Sequence, residues 1–164
     1  MPLNGDLKPS SLYIALDSRP LENEYHWALV TTNNTCHATL RHASNLNGPW
    51  RREEKDFDPD QRMMLIALVR VSDINSSYDA IVRAIQAIPA NGLPSSRTGR
   101  EFNCLTWVLD TIVDLADQGM ITLPYDINAL EGTARKLAAR FATAAETGGG
   151  ATVLNDPFSN EWVS

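Results

Sequence analysis

With 164 residues, 43% of them apolar and 21% charged, the chain has the composition of one soluble globular domain able to bury a core without disulfide or metal staples. The formal net charge is -6 and Lys and Arg are scattered, so neither a nucleic-acid footprint nor a basic membrane-surface helix is expected. No apolar run approaches the roughly 18 residues of a membrane span. The opening MPLNGDLKPSS shows no signal-peptide pattern. Two cysteines are too few for a disulfide scaffold, so a reducing, cytoplasmic setting is expected.

In chain order, SLYIAL (Ser11 to Leu16) is expected to form a strand, and DSRPLENE a loop punctuated by Pro20. YHWALVTT and ATLRHA flank the polar knot Asn33-Asn34-Thr35 and form a candidate β-hairpin. SNLNGPW is a turn-rich exit, and WRREEKDF is an edge strand or an extended loop. MMLIALVRV, Met63 to Val71, has the continuous apolar character of a buried central strand.

Ser76 and Ser77 offer caps for a helix to about Ile88, with Ile81, Val82, Ile85 and Ile88 on one face and Pro89 as the stop. The loop Ala90 to Arg100 leads into FNCLTWV; were it to cover a site, Arg97 or Arg100 would meet an anion, although a solvated loop is the simpler expectation. From Asn103 as N-cap, helical spacing continues through Leu105, Val108, Leu109, Ile112 and Ala116, with Gly119 beyond the end. Ile127 to about Ala145 predicts a third helix, striped by Leu130, Ala134, Leu137, Ala138 and Phe141. Residues 146–164 form a glycine-led tail, mobile unless Phe158 or Trp162 docks. The layout is α+β: one domain over residues 1–145, with an antiparallel sheet and its His-bearing hairpin packed against helices.

Hairpin register decides which histidines meet. A two-residue loop, Asn33-Asn34, puts His26 opposite Arg41. A three-residue loop, Asn33-Asn34-Thr35, puts it opposite His42, above a face of Ala28, Val30, Ala38 and Leu40. Because a one-residue slip flips every side chain, the face that can be buried favours the longer loop. His26 and His42 are then cross-strand neighbours, roughly 5 Å apart at Cβ. His37 points to the other face near the turn and is the least suited of the three to chemistry.

Asn103 as N-cap places Cys104 in the first helical turn, where free amides and the helix dipole favour a thiolate. A buried, inert filler is the plain alternative. A histidine pair in the same chain allows nucleophile, base and orienter to be assembled. Cys36 sits at the hairpin turn and reads as packing. No CxxC or HxxxH spacing suggests zinc, and no metal or cofactor is expected.

The order YHWALV, then RHA, then FNCLTWV resembles the circularly permuted branch of the NlpC-type papain-like superfamily, and within it the lecithin retinol acyltransferase-like proteins. That group has a strand opening His-Trp-Ala, a second histidine on the next strand, and an Asn-Cys dipeptide opening a helix. The run YHWALV, TLRHAS, LIALVRV, FNCLTWV also looks like a set of small fungal proteins with this layout. The likeness spans roughly Tyr25 to Gly119. It implies a permuted papain-like core, with Cys104 as nucleophile, His26 as base and His42 as the polar residue orienting the base.

Three departures stand out: Leu-Thr-Trp follows Cys104 where the acyltransferases have an acidic residue, histidine and phenylalanine; the histidines are farther apart; and no hydrophobic anchor follows the core. The implied chemistry is a cysteine-dependent acyl hydrolase or acyltransferase acting on a small-molecule or peptide amide, ester or thioester. The Cys104 amide, beside Asn103, and the Tyr25 hydroxyl are oxyanion candidates. A permuted deubiquitinase-type peptide or isopeptide hydrolase, a natural-product tailoring enzyme and a non-catalytic binding module stay open beside it.

Overall fold

A computed structural model of the chain describes residues 3–19 and 24–158. Much of the expected loop after the first strand, and Trp162, lie outside the described residues. One sheet runs through β1 (Ser11–Ser18), β2 (Tyr25–Thr32), β3 (Ala38–Ser44), β4 (Arg51–Asp56), β5 (Leu65–Asp73) and β6 (Thr152–Leu154), in the spatial order β4-β3-β2-β1-β5-β6. Neighbours are antiparallel except β5 and β6, which are parallel. The helices are α1 (Tyr78–Gln86), α2 (Cys104–Asp117) and α3 (Ile127–Ala144).

Burial on both faces explains the continuous apolar runs. Leu12, Ile14, Leu16, Trp27 and Leu29 face a core shared with the helices, whereas Tyr13, Ala15, Ala28, Val30 and Leu40 face the other side, covered by Leu3, Leu7, Phe57 and Val153. Each helix starts on a side-chain cap. Ser77 accepts from the Ala80 amide, Asn103 from Thr106 and Asp126 from Ala129. The α3 stripe buries Leu130, Ala134, Leu137 and Ala138 as its spacing predicts. No helix among the described residues is long and apolar enough to cross a membrane.

Three expectations change. The fold is α+β, but the sheet is mixed, because residues expected in a mobile tail add β6 beside β5. Gly148 and Gly150, at φ of 95° and 82°, turn the chain into position, and Ala151, Val153 and Leu154 are buried. Phe158 packs edge-on against Tyr125 with ring centroids 5.4 Å apart. The strand expected from Met63 begins at Leu65, leaving Met63 and Met64 exposed.

The hairpin turn is also displaced. It has three residues, but they are Asn34, Thr35 and Cys36. The Asn33 amide donates to the His37 carbonyl at 3.1 Å, and Cys36 takes the left-handed conformation at φ 64°. Asn33 Oδ1 fixes this shape by accepting from the Thr35 and His37 amides. The ladder pairs Val30 with Leu40 and Thr32 with Ala38. Moving the turn by one residue moves the pairing by two, so His26 and His42 keep a common face but sit diagonally.

Candidate active site

His26, near the start of β2, pairs across the ladder with Asp17 of β1, and His42 of β3 pairs with Glu53 of β4. A diagonal pair of rings on one face is within side-chain reach. His26 Nε2 lies 2.7 Å from His42 Nδ1, with the rings nearly perpendicular at 87°. His42 Nε2 lies 3.0 Å from Glu53 Oε1. At the other end, Arg19 Nη2 stands 3.2 Å from His26 Nδ1 and 3.4 Å from the Cys104 sulfur.

These contacts fix the proton positions. A carboxylate only accepts, so His42 Nε2 carries a proton and donates to Glu53. In the neutral ring His42 Nδ1 is then bare, so His26 Nε2–H donates to it. His26 Nδ1 is left with its lone pair. Arg19 reaches the same answer from the opposite end, because a guanidinium only donates.

The electrostatics agree with a neutral ring. His26 is held down to about 3, first by burial and then by the charges of His42, Arg19 and Arg62, with Glu53 opposing. Burial also lowers His42, while the hydrogen bond and charge of Glu53 pull it back. For Glu53 burial works upward, yet hydrogen bonds from Arg51 and His42 hold it below the usual carboxylate value. Asp17, ion-paired with Arg62, is raised by burial despite that partner.

Cys104 is the first residue of α2 and only 4% exposed. Asn103 Oδ1 accepts from the Thr106 amide at 2.8 Å, and the Asn103 carbonyl accepts from Trp107 at 3.0 Å. The Cys104 and Leu105 amides have no acceptor among the described residues, so two N–H groups beside the sulfur are free for a developing oxyanion. Tyr25 is buried in the same core cluster as Cys104.

By strand alternation His26 and His42 lie on the sheet face of Ala28, Val30 and Leu40, whereas Cys104 belongs to the helix-side core. Among the described residues no hydrogen bond joins its sulfur to either imidazole, and Arg19 Nη2, which reaches both the sulfur and His26 Nδ1, is what links them. Asn103 commits its side-chain oxygen to the cap. Glu53 and Arg19 are functional candidates that the sequence reading missed. The alternation of RREEKD opposite RHA was the available signal for Glu53; Arg19 carried none. Arg97 and Arg100 pair with Asp110 and Glu131, tying their loop to α2 and α3. His37 meets Asp56 in an exposed contact, and the half-buried Cys36 thiol donates to the Leu7 carbonyl.

Among the described residues, no group of three or more His, Cys, Asp or Glu could hold a metal ion. A cavity of about 450 Å³ lies between α2 and the loop after α1, lined by Ile88, Leu93, Phe102, Trp107, Asp110 and Asp114 among others. Cys104 does not line it, so this hollow is separate from the cluster of Cys104, Arg19 and His26, and the side-chain chemistry is the better guide to the site.

Residues 10–146 match the model of a "Family of unknown function (DUF6914)", and the chain belongs to that family. No curated protein and no solved structure matches the chain.

Proposed function

We propose that this member of the DUF6914 family is a cysteine-dependent acyl-transfer enzyme, a hydrolase or acyltransferase acting on an amide, ester or thioester. The observation that carries the proposal is the Glu53–His42–His26 chain, which leaves the His26 Nδ1 lone pair facing Arg19 Nη2, the same donor that reaches the Cys104 sulfur. A base whose tautomer is set from both ends suits a thiol nucleophile; a histidine placed for packing needs no such chain.

In this mechanism Arg19 first swings off the sulfur. His26 Nδ1 takes the thiol proton as the sulfur attacks the carbonyl carbon. The oxyanion is held by the Cys104 and Leu105 amides, with Tyr25 as a further donor. As the tetrahedral intermediate collapses, the bond to the leaving amine, alcohol or thiol breaks and His26 returns the proton to that group. Water or a second nucleophile then attacks the thioester, giving its proton to His26, and the sulfur leaves. His42 and Glu53 hold the base in place throughout.

The permuted papain-like core is the fold proposal that accompanies this chemistry, resting on the order His26, His42, Cys104 and on the helix start at Asn103. The two free cysteines support a reducing, cytoplasmic setting. One observation favours a non-catalytic binding module instead: the sulfur bonds Arg19 rather than His26. A panel of electrophilic acyl probes, with the modified residue mapped by mass spectrometry, separates the two. The enzyme proposal expects acyl label on Cys104 that hydroxylamine removes. Label confined to lysines, or absent, sinks it.

A further inference from the structure

We propose that Arg19 is the substrate-recognition group of this site, selecting acyl compounds that carry a carboxylate close to the reacting carbonyl. The inference rests on Cys104 being the nucleophile and adds what kind of substrate reaches it.

Arg41, Arg52, Arg62, Arg97, Arg100 and Arg135 each face a carboxylate. Arg19 does not. Its partners among the described residues are an imidazole nitrogen and a sulfur, both served by Nη2 alone, although the residue is exposed. In a chain of net charge -6, a guanidinium whose Nε and Nη1 meet no acceptor among the described residues, beside a buried nucleophile, is set to receive an anion. Arginine's planar fork matches a carboxylate bidentately, and two charge-assisted bonds outweigh the pair it now makes. The other cation beside His26, Arg62, is committed to Asp17, so one fork is available. That suits a singly charged planar carboxylate better than a phosphate dianion.

Arg19 also covers the sulfur. Pairing it with a substrate carboxylate draws it off both Cys104 and His26 Nδ1, so recognition opens the site. Neutralising that charge also removes one of the influences that depress His26 basicity. The substrate shifts the site toward its open form because it binds that form better.

The test compares alkylation of Cys104 by iodoacetate and by iodoacetamide, using Cys36 of the same molecule as internal reference and mapping both sites by mass spectrometry. In the wild type the iodoacetate-to-iodoacetamide ratio at Cys104 should exceed that at Cys36 by about tenfold, the size of one charge-assisted contact. In Arg19→Gln the ratio should fall to the Cys36 value while the iodoacetamide rate rises, because the cover is gone. Arg19→Lys, which keeps the charge without the fork, should fall between. Equal ratios in wild type and Arg19→Gln overturn the proposal, as does a wild-type Cys104 that iodoacetate cannot reach while Cys36 reacts. Alkylation needs no acyl-enzyme, so acyl labelling without carboxylate preference removes only this inference, whereas carboxylate preference without acyl labelling removes the enzyme proposal and with it the substrate role of Arg19, leaving a carboxylate-binding contact.

Discussion

His26 Nε2 and His42 Nδ1 lie 2.7 Å apart, and the groups at either end of the pair, Glu53 and Arg19, admit a single arrangement of protons. Nitrogen-15 NMR of the imidazoles at neutral pH should therefore find both Nε2 atoms protonated and both Nδ1 atoms bare. A protonated His26 Nδ1 contradicts the base assignment.

Glu53 acts through His42, so its loss should be felt in rate more than in fold. Glu53→Ala should slow Cys104 acylation by about 10- to 100-fold, the usual scale for losing an orienting partner. Glu53→Gln should retain most of the rate, because its amide carbonyl still accepts from His42 Nε2–H. Parallel melting curves distinguish this from a structural role, which would lower stability without separating the two variants in rate.

Acid should weaken the fold through His26. The unfolded side chain protonates near 6.5, the folded one only near about 3. Between these values the unfolded state holds more protons, so this stabilisation is complete above about pH 6.5 and is lost as pH falls toward 3. His42, Arg19, Arg62 and Glu53 are the charged or titratable groups acting on the ring. Urea midpoints measured across that window should fall steeply in the wild type and less steeply in His26→Gln. Equal slopes would remove the desolvated, neutral His26 from the account.

Asn103→Ala leaves the Thr106 amide without its acceptor and should destabilise the protein by about 1 kcal/mol, the common worth of an N-cap. Asn103→Asp supplies the same oxygen and should be near neutral. Chemical denaturation measures both. A harmless Asn103→Ala would mean that the first turn carrying Cys104 is held by packing alone.

Much of this site was legible because it follows local periodicity. The α2 start was visible in Asn103 and the spacing behind it, and the common face of His26 and His42 in the alternation of the hairpin. Their diagonal placement was not, since it depends on Cys36 adopting a left-handed conformation that a non-glycine residue seldom takes. Glu53 was only half legible: the alternation of RREEKD offered a face, but the register that sets Glu53 opposite His42 comes from the tertiary fold. Arg19 lies just past the end of β1, where no period constrains a side chain. β6 is three residues long and pairs in parallel across a large sequence separation, which no local signal announces.

The most direct measurement is the rate at which p-nitrophenyl acetate acetylates Cys104, followed by intact mass and peptide mapping in wild type and in His26→Ala. If His26 is the base, the wild type should carry one acetyl group on Cys104 and the variant should acquire it about 100- to 10,000-fold more slowly, the range general-base catalysis supplies. Equal rates in the two proteins, or acetylation that bypasses Cys104, would contradict the account.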